Sequence, residues 1–178
     1  MRISLLLLAA AGLALSPTCP AAQSGGASIA DTTEIWSTWS GAGRMELRAD
    51  YLPGYGLEIL VDGRAADDRT SNTLAIRDLG SLSFHAVGGQ FQDFIDGRLD
   101  LVTNVVLAHG DRRVSLEQLV ATPGHDPRNG HPALLLTDPQ GRHLLTLTHL
   151  HIIADAKTEV LTIHNAEVLA MPALARAL

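Results

Sequence analysis

From residue 32 onward, side-chain polarity alternates with a period of two, and that pattern restricts the chain to β-structure. The clearest stretch is 44–51. Met45, Leu47, Ala49 and Tyr51 fall on one face; Arg44, Glu46, Arg48 and Asp50 fall on the other. Successive side chains of a strand point to opposite sides, so this reads as a half-buried strand. Leu57, Ile59 and Val61 form the apolar face of the next strand, which ends at Asp62-Gly63. Asp-Gly is a strong hairpin signal, because glycine takes the positive φ that a primed turn requires.

The same punctuation continues. Residues 73–77 form a short strand. Residues 81–87 place Leu82, Phe84 and Ala86 on one face before Gly88-Gly89, and 91–95 lead to a second Asp-Gly turn at Asp96-Gly97. Residues 98–108 read as one longer strand, with Leu99, Leu101, Val105 and Leu107 on one side. Residues 114–120 read as a strand or, beginning at Ser115, as a short helix. Residues 123–132 read as a polar loop carrying His125 and His131. The last part is a meander: 133–137 and 142–153 flank Asp138-Pro139-Gln140-Gly141, a tight-turn sequence, and 159–168 follow a turn at 155–158. Pro172 is placed to open a short C-terminal helix running to Leu178. That helix ends on apolar residues with no Gly or cationic cap, which leads to the expectation that the native chain continues past Leu178. The predicted fold is all-β and mainly antiparallel: a β-sandwich or a barrel-like meander with a short C-terminal helix. Parallel strands would read as continuous apolar runs instead.

The N-terminus has the three zones of a secretory signal peptide. Arg2 supplies positive charge, Leu5 to Leu15 is an unbroken run of Leu, Ala and Gly, and Ser16, Pro17 and Pro20 precede the small residues Ala21 and Ala22. The run falls short of the roughly 20 residues that span a bilayer. The predicted organisation is therefore a signal peptide at 1–22, a Gly/Ser-rich leader at 23–31 and a single β-rich domain at 32–178. Cleavage is expected after Ala22, or else after Ala21. The expected destination is the periplasm or the medium. Lipidation at Cys19 is the alternative, although Thr18 stands where a lipoprotein signal has Gly, Ala or Ser.

Removing 22 residues from 178 leaves 156, enough for one domain with a sizeable core. Of 13 Lys and Arg only Arg2 lies in the signal, so the remainder carries 13 − 1 = 12 basic against 19 acidic residues, a formal charge of −7. This balance disfavours nucleic acid, whose binding depends on clustered Lys and Arg. It also disfavours an anionic membrane surface, and no second apolar run is long enough to be a transmembrane segment. Cys19 is the only cysteine, so the mature domain is expected to lack disulfides although it is exported. Twelve arginines against a single lysine point to a GC-rich bacterial genome.

Chemistry is sparsely signalled. All eight histidines lie in the mature region, and four fall in the C-terminal meander. His143, His149 and His151 share a strand and a parity, and His164 lies on the next strand. If Ala154 pairs with Glu159, His149 stands opposite His164. His149, His151 and His164 then converge as candidate metal ligands, and neutral imidazoles suit zinc or copper. The His149-x-His151 pair resembles the H-x-H pair of cupins and carbonic anhydrases. The likeness ends there, since Ala154, Asp155 and Ala156 occupy the region where a cupin has its Glu. Asp93, Asp96 and Asp100 lack the spacing of a calcium loop and read as an acidic hairpin tip. Asp126, Asn129 and Gly130 read as loop chemistry. Trp36 and Trp39 would face opposite sides of a strand. There is no G-x-S-x-G, no phosphate-binding glycine motif and no cysteine nucleophile in the mature chain.

Three functional expectations follow. The first is an exported, non-catalytic β domain that self-associates or binds an envelope protein. The second is a metal-binding protein or metal-dependent enzyme using His149, His151 and His164. The third is a hydrolase using His125 or His131.

Overall fold

Alternation becomes strand over most of the described chain. The computed structural model describes residues 2–17, 33–47, 52–66, 70–76, 81–155 and 160–178. The N-terminal half contains β1 (Arg2–Pro17), β2 (Thr33–Leu47), β3 (Leu57–Val61), β4 (Arg64–Ala65), β5 (Thr70–Ile76), β6 (Ser81–Val87) and β7 (Gln90–Val102). The C-terminal half contains β8 (Val105–His109), β9 (Arg112–Ser115), β10 (Gln118–His125), β11 (Pro132–Thr137), β12 (His143–Thr148), β13 (His151–Asp155), β14 (Val160–Ala170) and the helix α1 (Pro172–Ala177). The pairings are antiparallel, as the alternation requires. The large sheet runs β1-β14-β12-β11-β10-β7-β5-β2-β6, with β13 on β14 and further pairings of β1 with β2 and of β6 with β7. The small sheet runs β4-β3-β8-β9.

The expected all-β antiparallel architecture and the short terminal helix are both present. Pro172 stands at the start of α1, and Leu174 is buried beneath it. Asp62 and Gly63 both have positive φ, 51° and 73°, and join β3 to β4 as a primed turn. β6 alternates as read: Leu82, Phe84 and Ala86 are fully buried. Phe84 stands at the centre of a tilted aromatic row, 6.3 Å from Trp36 and 5.7 Å from Phe91 between ring centroids. Trp36 is buried as core, whereas the side chain of Trp39, the leader at 23–31 and the end of the predicted signal at 18–22 lie outside the described residues. The buried cluster continues through Leu99, Leu119, Leu136, Leu147, Leu161 and Ile163, and Leu57 and Ile59 join it from the small sheet.

Several boundaries differ from the sequence reading, each for a local reason. The expected strand 98–108 is divided between two sheets, because the chain crosses over at Thr103 and Asn104. Thr103, itself buried, donates its hydroxyl to the Leu116 carbonyl at 2.8 Å and accepts from the Val105 amide at 3.2 Å. The outgoing crossing is thereby stitched to the return crossing at 116–117, which also resolves 114–120 into the end of β9 and the start of β10. The 123–132 loop is shorter than expected, since Pro123 to His125 pair with β11.

Asp96-Gly97 makes no hairpin. β7 runs straight through it, with a register shift between the Ser83 and Phe84 pairings. This Asp-Gly signal marks a bulge in a continuous strand. Gly97 has φ +132°, and a Cβ built there would lie 2.1 Å from the Ser81 carbonyl oxygen. Gly97→Ala is therefore expected to destabilise the fold by about 2 kcal/mol or more, read as a lowered thermal midpoint by circular dichroism. An unchanged midpoint would contradict the bulge geometry.

Candidate functional site

The C-terminal meander carries the histidines, but it does not arrange them as one regular strand would. β12 is buried on both faces from Leu144 to Thr148, and its pairing with β11 shifts between the Leu136 and Thr137 partners. That irregularity breaks the parity expected to place His143 with the others, and the His143 Nε2 instead hydrogen-bonds the buried Thr146 hydroxyl at 2.8 Å. The expected strand 142–153 is also interrupted at His149, whose φ is +52°. Positive φ is uncommon for a residue with a side chain, and histidine is one of the types that tolerate it. The strand resumes as β13.

The pairing with β14 is the main correction to the expected register. Asp155 stands opposite Val160, so His151, not His149, faces His164. The shift is two residues and keeps all three on one parity, so side-chain alternation reads the same in either register. The rings of His151 and His164 are 6.0 Å apart between centroids, tilted by 50°. His149 is turned to another partner: its Nδ1 lies 2.9 Å from Glu167 Oε2. An ionised carboxylate can only accept, so Nδ1 is the donor in this contact.

Glu167 belongs to a polar network that the sequence reading missed. Arg128 donates from Nη2 to Glu167 Oε2 at 3.1 Å, to Asp126 Oδ2 at 2.8 Å and to the Thr148 hydroxyl at 3.0 Å. Its Nε reaches Asp126 Oδ1 at 3.0 Å. Asp126, with 1% of its side chain exposed, also organises the loop after β10. Its Oδ1 accepts from the Arg128 amide at 2.9 Å, its carbonyl from the Gly130 amide at 2.8 Å, and its own amide donates to the His131 carbonyl at 2.8 Å. The sequence signal for this turn was Asp126-Pro127 followed by Asn129-Gly130. Nothing periodic marked its partner Glu167.

The electrostatics follow from that geometry. The Arg128 guanidinium holds the Asp126 carboxyl at about 2, against the opposing effect of burial. Burial pushes Glu167 up, but hydrogen bonds from Arg128 and His149 outweigh it and leave Glu167 below the usual carboxylate range. Arg128 is in turn held more firmly protonated by the two carboxylates.

Among the described residues, no group of three or more His, Cys, Asp and Glu side chains is arranged to hold a metal ion. His151 and His164 are brought together, while His149 is directed to Glu167. His125 and His131 flank the Asp126 loop with exposed side chains. An open cleft of about 440 Å³ lies elsewhere, lined by Arg113, Ser115, Glu117, Gln118, Asp138 and Arg142, with none of these histidines. Comparison with family models, curated proteins and solved structures finds no match to this chain.

Asp126 provides a pH test. Its folded pKa lies below its ordinary value of about 3.9, so its stabilisation is complete above roughly pH 4 and is lost as pH falls through about 2. Asp126→Asn is expected to cost about 2 kcal/mol at neutral pH, lowering the thermal midpoint by about 4–8 °C. It should also flatten the acid limb between roughly pH 4 and pH 2. Calorimetric melts across that range check both effects; a variant with a wild-type acid limb would contradict the assignment.

Proposed function

We propose that this chain is an exported bacterial β domain with a binding, structural or assembly role at the cell envelope or outside the cell, and that it is not an enzyme. Support for export comes from the charge, apolar run and small residues of 1–22. The observation that carries the binding role is β13. Among the described residues it pairs on one side, with β14, and its positions His151 and Ile153 are exposed, Ile153 to 47%. A strand paired on one side is a template for another chain. Among the described residues no helix is long and apolar enough to cross a membrane.

A second reading is favoured by the facing His151 and His164 rings. In it the two imidazoles bind zinc or copper, with His149 as a third ligand once it leaves Glu167. Metal analysis of untagged protein tests this. Stoichiometric metal that falls in a His151→Ala, His164→Ala variant supports it, and a metal-free parent rejects it.

Two measurements test the main reading. The mass of the N-terminus recovered from an expressing bacterium should place the first residue at Gln23 or Ala22. Acylation at Cys19 would mean a lipid-anchored form, and an intact Met1 would reject export. Light scattering and affinity capture should then show self-association or a retained envelope protein, reduced by Ile153→Lys with the thermal midpoint unchanged. A strict monomer that retains nothing would reject the binding role.

A further inference from the structure

Among the described residues, the small sheet ends on strands with exposed arginines: Arg64 on β4, and Arg112 and Arg113 on β9. Charge on an edge strand discourages a second chain from pairing with it. β13 carries no such guard. Over 151–155 it has no Lys, Arg or Pro, and its one acidic residue, Asp155, stands at its end. Its pairing with β14 runs without a register shift. An edge with neither bulge nor basic side chain is the kind that accepts another strand.

We infer that β13 is the seam of a homodimer, pairing antiparallel with β13 of a second copy about a two-fold axis at Ile153. The inference rests on the binding role proposed for β13 and names the partner as this chain itself.

The occupant and its register follow from self-complementarity. His151, Ile153 and Asp155 are exposed on one face, while Ile152 and Ala154 pack toward the core. Continuing the sheet sets exposed positions opposite exposed positions, so the axis passes through a residue and not between two. An axis at Asp155 sets that carboxylate against itself, which is unfavourable. An axis at Ala154 sets Asp155 against the apolar Ile153 twice. An axis at Ile152 or His151 leaves Asp155 beyond the end of the partner strand. An axis at Ile153 pairs all five residues. It sets His151 opposite Asp155 twice, Ile153 opposite itself and, on the other face, Ile152 opposite the smaller Ala154. Directly opposed Cβ atoms lie about 5 Å apart, within reach of an imidazole N–H donating to a carboxylate. Asp155 has an interaction of its own already, but a carboxylate has about four acceptor sites and can take a further donor. The pairing occupies the open side of both copies, so assembly stops at two. Five residues a side make a small seam, and the association is expected to be reversible and concentration-dependent.

The test uses the chain recovered from an expressing bacterium with Cys19→Ser, so that an introduced cysteine stands alone. Sedimentation should show a monomer–dimer equilibrium. Ile153→Cys should give a covalent dimer with a short bis-maleimide, whereas Ile35→Cys, at a position exposed to the same 47%, should not. His151→Asp alone and Asp155→His alone each set two like side chains opposite each other, and each should weaken dimerisation about tenfold. The double exchange His151→Asp, Asp155→His reverses each pair and should restore the dimer. A monomer up to the solubility limit overturns the proposal. So does a dimer indifferent to the single exchanges, one that the double exchange does not restore, or equal cross-linking through Ile35→Cys. Should an exchange unfold the chain, as circular dichroism would show, the Ile153→Cys cross-link decides. A monomer that still retains an envelope protein, lost in Ile153→Lys, overturns the homodimer and leaves the binding role standing. A monomer that retains nothing removes both.

Discussion

Strand β14 is the element on which the C-terminal half depends. It pairs with β12 and β13 on one side and with β1 on the other. One register runs through both pairings on the first side: Thr148 stands opposite Glu167, and His151 stands opposite His164. The interruption at His149 therefore bends the chain without slipping the ladder. That single register sets two neighbourhoods at once. It brings His151 to His164, and it sets Glu167 beside Thr148, within reach of both Arg128 and His149.

The network around Arg128 solves a desolvation problem. Asp126 is buried because its backbone and side chain close the loop between β10 and β11. An ionised carboxylate there would be costly without a cation. Arg128 supplies that charge from two residues away and is still 30% exposed, so its guanidinium keeps part of its hydration. The same Nη2 that meets Asp126 also reaches Thr148 and Glu167, tying the loop to the β12–β14 ladder. These bonds bring together residues as far apart in sequence as 126 and 167.

That distance explains which features were legible beforehand. Strands buried on one face were: β6 alternates in burial as its sequence does, and Asp62-Gly63 and Asp138-Gly141 turn where their residue types require. β12 was not, because both its faces are covered and a register shift changes its parity. Nor was the course of β7, since an Asp-Gly dipeptide looks the same at a hairpin and at a bulge. The histidine cluster was half legible. Parity placed His151 and His164 on one face, but the register depended on where the 156–159 connection closes, and the positive φ of His149 has no sequence marker. The Asp126–Arg128–Glu167 network was invisible because ion pairs between distant segments have no period.

A histidine oriented by a carboxylate is also the arrangement of a general base, which invites a catalytic interpretation of His149 and Glu167. In the structure both residues belong to the Arg128 network. The hydroxyl of the preceding residue, Thr148, is buried and already bonded to Arg128 and the Glu167 carbonyl. The 440 Å³ cleft is lined by other residues. Glu167 is shared with Arg128, so the dyad is one arm of the staple that fixes the loop to β14. β14 is thereby fixed along the edge away from β1 by β12, β13 and the staple.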